Sequence, residues 1–140
     1  PALIAVTVSM TIFPLSTGLL VELDPFCPLE DIDIEFMDRK PNFWALIPKY
    51  CDLLMNSKRI PEDYDMSHLR TIGAGAEAMN DRKYAEVEEF FHKHNIKAKL
   101  SAGYGQSEGC SNFTLPNPMF PLEDGCVGMP MPATVLGVRI

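Results

Sequence analysis

Residues 98–109, Ala-Lys-Leu-Ser-Ala-Gly-Tyr-Gly-Gln-Ser-Glu-Gly, constrain this chain more than any other stretch. Ala98, Leu100 and Ala102 alternate with Lys99 and Ser101, the period of a strand with one buried face. The run then breaks at Gly103, Gly105 and Gly109, with Tyr104, Ser107 and Glu108 between them. Glycine lets a backbone take positive φ or approach a ligand closely. A strand ending in such a loop carries polar groups to the carboxyl edge of a sheet, where open α/β folds bind ligands. Tyr104 offers a flat face, Ser107 a donor and Glu108 an oxygen ligand for a hard cation. A base, a phosphate and a magnesium ion would use those three groups. The competing reading makes Glu108 the cap of a following turn and packs Tyr104 in the core.

Such a loop needs a sheet beneath it, and the preceding residues supply one. Pro28 suits a first helical turn, and Leu29, Ile32 and Phe36 recur at helical spacing, so 28–39 reads as an amphipathic helix. Phe43 to Ile47 reads as a strand. Pro48 opens a helix to about Asn56, with Leu53 and Leu54 inward, and 58–65 is a polar loop. Leu69 to Ile72 reads as a strand running into Gly73-Ala74-Gly75. Asn80 is an N-cap for a helix from Asp81 to about His92. Its inner stripe is Tyr84, Val87 and Phe91, and Glu89 and Lys93 are spaced to pair across one turn. Strand–helix alternation over 19–103 predicts an α/β fold, a mostly parallel sheet flanked by helices. Beyond the loop, Pro116, Pro118, Pro121, Pro130 and Pro132 forbid a helix, and Val135 to Ile140 reads as a strand.

Residues 1–21 carry no charge. A membrane span needs about 20 apolar residues in one helix, whereas Pro14, Gly18 and five hydroxyl side chains interrupt this run. A buried helix to about Phe13, a Ser-Thr-Gly turn and a buried strand Leu19 to Leu23 fit it better. The formal net charge is −7, and Lys and Arg never cluster beyond two neighbours, which argues against nucleic acid or an anionic membrane surface as the main partner. Cys27, Cys51, Cys110 and Cys126 are widely spaced, form no C-x-x-C pair and have no accompanying histidine spacing, so they suggest neither a zinc site nor a disulfide framework and read as reduced thiols of a cytoplasmic protein. No targeting peptide is visible. Both ends read as cut from a longer chain. Gly73-Ala74-Gly75-Ala76-Glu77-Ala78 has the skeleton of a dinucleotide fingerprint. Its helix cap comes late, at Asn80, and the next strand carries no acid, so that reading fails.

Tyr104-Gly105-Gln106-Ser107-Glu108 resembles the Tyr-Gly-x-Thr/Ser-Glu motif of the adenylate-forming superfamily, which includes acyl-CoA synthetases, adenylation domains of peptide synthetases and luciferases. Three further segments extend the likeness over most of 19–140. Ser67-His68-Leu69-Arg70 is similar to the family's Ser-x-Leu-Arg approach, and Gly73 to Ala78 to its Gly-Gly-Ala or Gly-Ala-Glu turn. Gly125-Cys126-Val127-Gly128-Met129-Pro130-Met131-Pro132 is similar to its Gly-x-Val-Gly-x-Pro-x-Pro.

The resemblance implies a partial subdomain of the large N-terminal domain of an adenylate-forming enzyme, with 1–116 in its α/β sheet part and 117–140 a proline-rich connection and the start of the following β part. It implies that Tyr104 stacks on adenine between Gly103 and Gly105, and that Ser107 bonds a phosphate oxygen. Glu108 would hold magnesium, and Gly75, Ala76 and Glu77 would wall the adenine and acyl sites. Ser107 and Glu108 would then be the catalytic pair. Ala102 stands where the family often has Asn or Gln, Ser107 where threonine is commoner, and Ala76-Glu77-Ala78 lacks the proline often found there. Trp44 could line an acyl pocket or be a buried core indole.

The function so implied is that of an ATP-dependent acyl-CoA synthetase of fatty-acid metabolism, joining a carboxylic acid to AMP and then to coenzyme A. The family's phosphate loop, ribose-binding aspartate and lysine-bearing C-terminal domain are not in these residues. The segment alone is therefore expected to be inactive and to need the remainder of its chain. An amino-acid-activating adenylation domain and a non-catalytic nucleotide-binding module stay open as alternatives.

Overall fold

The structure, a computed structural model, describes residues 6–75, 80–109, 111–116, 126–132 and 134–137. The chain divides into two compact units, one of Leu23–Leu100 and one of Pro1–Glu22 with Ser101–Ile140. No described helix is long and apolar enough to cross a membrane.

The first described residues wind as a π-helical stretch, Val6–Ile12, into a single α-helical turn, α1 (Phe13–Ser16). The expected Ser-Thr-Gly turn closes it: the Thr17 hydroxyl donates to the Pro14 carbonyl at 2.9 Å, and the Leu19 N–H donates to the same oxygen. The expected burial is not found. Ile12, Phe13, Leu15, Leu19, Leu20 and Leu23 are exposed, and 19–24 forms no strand. Apolar composition makes a strand only where a partner offers a ladder, and among the described residues none pairs with 19–23.

In the unit Leu23–Leu100 the helix expected from Pro28 appears as a 3-10 turn, Leu29–Asp31, leading into α2 (Ile32–Arg39). Strand β1 (Phe43–Leu46) follows, and then α3 (Pro48–Met55), opened by its proline as the sequence implies. Strand β2 (Thr71–Ala74) lies two residues later than expected. The chain turns at Leu69, whose N–H donates to the Met66 carbonyl, and the Thr71 N–H reaches the Asn42 carbonyl before the ladder starts. Helix α4 (Asp81–Lys93) begins at Asn80, whose side-chain oxygen accepts the Lys83 N–H at 2.9 Å. Strand β3 (Leu100–Ala102) completes a sheet ordered β1-β2-β3, with β1 and β2 parallel and Trp44 opposite Ile72. This is the α/β arrangement that the strand–helix alternation predicts. Phe36 from α2, Cys51 and Leu54 from α3, Ile72 from β2, and Val87 and Phe91 from α4 meet in one core with Met66, Leu69 and Ile96.

Two described polar residues in this unit are buried. His94 is one, at 5% exposure. The helix stops at Lys93, the chain reverses through Asn95 at φ 58°, and the His94 ring comes to lie under the polar loop. Its Nδ1 is 2.9 Å from the Tyr64 carbonyl, while its own carbonyl accepts the Met66 N–H. Lys93 reaches Glu62 of that loop, at 3.8 Å, rather than the expected Glu89. Asp33 is the other, 3% exposed on the inner side of α2. Arg59 grips both its oxygens, with Nε 2.9 Å from Oδ2, and also bonds Asp31; the Ser57 hydroxyl donates to Asp33 as well. The polar loop is thereby fastened to α2 by its arginine.

The other unit carries an antiparallel sheet that the sequence reading missed. Strand β4 (Tyr104–Gln106) leads through a 3-10 turn (Ser107–Gly109) to β5 (Ser111–Leu115), and β6 (Met129–Pro130) pairs on the far side of β5. The Asn112 side chain bonds the Ser9 hydroxyl at 3.3 Å. Of the strand expected over Val135 to Ile140, residues 134–137 have no regular structure and Val135 is exposed; 138–140 lie outside the described residues, as do 117–125.

Burial alone would raise the Asp33 carboxyl, but hydrogen bonds from Arg59, Ser57 and the Ile34 N–H outweigh it and hold the group below the usual carboxylate range. A depressed folded-state value means that its stabilisation is present above the unfolded value of about 3.9 and is lost as pH falls through the folded one. Urea titrations should thus give Asp33→Asn a lower midpoint than wild type near neutrality, with the gap closing below about pH 4. An unchanged gap in acid would remove the carboxylate from the explanation. Asn80→Ala should cost about 1 kcal/mol of stability, seen as a midpoint shift, since it frees the Lys83 N–H at the start of α4.

Candidate functional site

The expected site residues fall in both units. Gly75 follows β2 at its carboxyl end and is half-buried; Ala76 and Glu77 lie outside the described residues. Gly103, Tyr104, Gly105, Ser107 and Glu108 are brought together on one short path, from the end of β3 through β4 and its 3-10 turn. The anticipated open loop is therefore a strand edge followed by a tight turn. Ser107 and Glu108 are both exposed on that turn.

Tyr104 is not a core residue: it is 42% exposed. Three contacts hold it. Its N–H donates to the Thr114 hydroxyl oxygen at 3.1 Å, its ring lies 5.9 Å from that of Phe113 at 43°, and Gln106 donates from its amide to the Tyr104 hydroxyl. A ring fixed at its backbone and its tip, and bare over much of its surface, can receive a planar apolar partner.

The strand behind it, β5, explains the glycine that precedes Tyr104. A Cβ on Gly103 would meet the Thr114 carbonyl oxygen at 2.9 Å, so Gly103 makes room for β5. The opposite side is just as close. Gly128 has φ +94°, which L side chains rarely adopt, and a Cβ there would lie 2.3 Å from the Leu115 carbonyl. Between them Thr114, 2% exposed, donates from its hydroxyl to the Val127 carbonyl at 2.6 Å. Sequence reasoning missed Thr114. The only signal was the alternation of Asn112, Phe113, Thr114 and Leu115, masked by the prolines that follow.

Among the described residues no group of three or more His, Cys, Asp or Glu gathers as a metal cluster. Glu108 supplies a single exposed carboxylate. That donor suits magnesium, which keeps several waters and takes one or two carboxylates plus substrate phosphates. Cys27, Cys51 and Cys126 are free thiols; burial pushes the Cys51 thiol up to about 11, so it stays protonated at neutral pH. Trp44 stacks on Phe36, with centroids 4.8 Å apart, and lies near parallel to Tyr50 at 6.2 Å, half-buried against the core. His68, in the turn before β2, sits between the Phe36 and Tyr64 rings with its Nε2 buried and unbonded, and burial lowers its pKa.

A family model described as AMP-binding enzyme matches residues 3–139. No curated protein matches the chain. Among solved structures, the anthranilate CoA ligase AuaEII in complex with anthranoyl-AMP is 19% identical, with a TM-score of 0.73 over 91% of this chain and 24% of that one. A benzoate CoA ligase from Burkholderia xenovorans is 20% identical, with a TM-score of 0.74 over 93% of this chain and 25% of that one. The O-succinylbenzoate CoA synthetase of Bacillus subtilis, in complex with ATP and magnesium, is 18% identical, with a TM-score of 0.64 over 92% and 25%. At such identities the likeness is one of fold, that of the N-terminal domain of adenylate-forming enzymes. The chain spans about a quarter of the length of these structures. With its motifs in order and a family match running almost end to end, the chain belongs to the AMP-binding enzymes, the adenylate-forming superfamily.

Proposed function

We propose that this chain is part of an ATP-dependent acyl-CoA synthetase, and that Tyr104, Ser107 and Glu108 serve its first half-reaction. The observation that carries the reading is their presentation on one exposed path, with the Tyr104 ring held and bare. In that half-reaction a substrate carboxylate oxygen attacks the α-phosphorus of ATP. The bond to the bridging oxygen breaks, and acyl-AMP and pyrophosphate result. In the second, the CoA sulfur attacks the acyl carbonyl carbon and AMP leaves.

Tyr104 would stack on the adenine, fixing where the phosphates fall. Ser107, two residues beyond β4's glycine, would donate its hydroxyl to a phosphate oxygen. Glu108 would hold magnesium through its carboxylate; the ion's chemistry there is to offset charge that develops as pyrophosphate leaves. Gly75, with Ala76 and Glu77, would wall the adenine and acyl sites. The solved CoA ligases of like fold support this reading, one by its bound anthranoyl-AMP and one by its ATP and magnesium.

Two substitutions in the full-length enzyme test these roles. Glu108→Gln should keep the fold and cut pyrophosphate-releasing adenylation by ~100-fold or more, the scale of losing a charge stabiliser at the transition state. Wild-type turnover by that variant at ordinary magnesium would end the metal assignment. Tyr104→Phe keeps the stacking face and should bind ATP nearly normally. Tyr104→Ala should lose ~1–3 kcal/mol, with base–aromatic stacking in nucleic-acid complexes as the guide. Equal losses in the two would transfer the role from ring to hydroxyl.

A further inference from the structure

Thr114 carries no group that the proposed reaction needs, yet it is buried and bonded on two sides. Its position in the sheet says why. On one side it stands opposite Tyr104, and the β4–β5 register slips immediately afterwards, between Tyr104 and Gly105. Such an irregularity leaves a ladder group without its backbone partner. Beside that slip the Thr114 hydroxyl oxygen accepts the Tyr104 N–H at 3.1 Å, a tie that does not depend on the ladder. On the other side Thr114 stands opposite Pro130, which has no N–H to give to a ladder. The substitute tie is again the Thr114 hydroxyl, which donates its proton to the Val127 carbonyl. A hydroxyl has one proton and two lone pairs, so both bonds form at once without competing. The positive φ of Gly128 brings the chain against β5 beside that carbonyl, and the Met131 N–H closes the next step on the Phe113 carbonyl at 2.8 Å.

We infer that Thr114 is a positioning residue, whose single hydroxyl repairs the sheet on both sides of β5 and thereby fixes the backbone of Tyr104. The inference rests on the proposed role of Tyr104 only for its effect on nucleotide binding. The mechanical part stands on the two hydrogen bonds alone. It also assigns a use to the Val127-Gly128-Met129-Pro130 segment, which has no chemistry of its own. That segment is the far anchor of the ring. If the ring contributes equally to binding ATP and its transition state, loosening it weakens binding and leaves the chemical step alone.

The test uses the full-length enzyme with Thr114→Val, which keeps the shape and loses the hydroxyl, and Thr114→Ser, which keeps the hydroxyl. Hydrogen exchange of a peptide covering 103–109 should be about tenfold faster in Thr114→Val, as expected when one hydrogen bond is lost. In Thr114→Ser it should match wild type. KM for ATP should rise about tenfold in Thr114→Val with kcat changed less than about threefold, the pattern of lost uniform binding. Unchanged exchange in Thr114→Val, or a Thr114→Ser enzyme as impaired as Thr114→Val, would overturn the inference. Should Thr114→Val fail to fold, Thr114→Ala makes the same comparison with Thr114→Ser. Tyr104→Ala in parallel separates the two ideas. If it leaves KM for ATP untouched while Thr114→Val still speeds exchange, the adenine role falls and the positioning role stands.

Discussion

The antiparallel sheet that carries Tyr104 depends on one buried hydroxyl. A three-stranded sheet whose outer strands hold three and two residues has few backbone bonds to spare, and two of its natural ladder positions are spoiled, one by a register slip and one by Pro130. An unmet amide or carbonyl in such a place costs about as much as the net gain from several made bonds. Thr114 meets one of each from a single atom. Gly103 and Gly128 follow from the same crowding, since the backbone of β5 occupies the space where their side chains would stand. A glycine motif that looks designed for a ligand is thus shaped in part by the strand behind it.

That double duty explains what could be read from the sequence. The helices and parallel strands of Leu23–Leu100 announce themselves by signals that act locally: Pro48 and Asn80 start helices by their own chemistry, and the stripe of Val87 and Phe91 sets the buried face of α4. The antiparallel sheet has no such signals. Strands β4 and β6 are too short to show a period of two, and the alternation in β5 is masked by the prolines after it. The sheet's glycines read as loop, and its pairings span from five to sixteen positions. The likeness of Tyr104 to Glu108 to a family motif marked this stretch as the candidate site. It could not show that the stretch is a strand edge, because motif and edge use the same glycines.

Burial is the other property that local signals do not settle, in both directions. Asp33 lies on the inner side of α2 because Arg59 and Ser57, more than 20 residues later, come to meet it, and no window on the helix contains that information. His94 is drawn in by the Tyr64 carbonyl in the same way. Conversely, the uncharged run through Leu20 has the composition of a core, yet Ile12, Phe13, Leu15, Leu19 and Leu20 are exposed. Hydropathy states what a residue would gain by burial, not whether a neighbour is there to bury it.

The exposed path from Tyr104 to Glu108 divides into two physical regimes, and the division suits its proposed work. The first half is held: the Tyr104 backbone by Thr114, the ring edge by Phe113, the hydroxyl by Gln106. A flat side chain gives up little entropy on binding a base when its rotamer is already fixed, so more of the stacking energy remains as affinity. The second half is the solvent-facing turn of Ser107 and Glu108. A carboxylate meant for magnesium gains nothing by being buried before the ion arrives, because desolvating it would cost free energy while the ion itself keeps most of its water. Holding the ring and wetting the carboxylate are opposite demands on neighbouring residues. A buried hydroxyl one strand away satisfies the first without disturbing the second, because it acts through the backbone N–H at the start of the path and leaves its end in water.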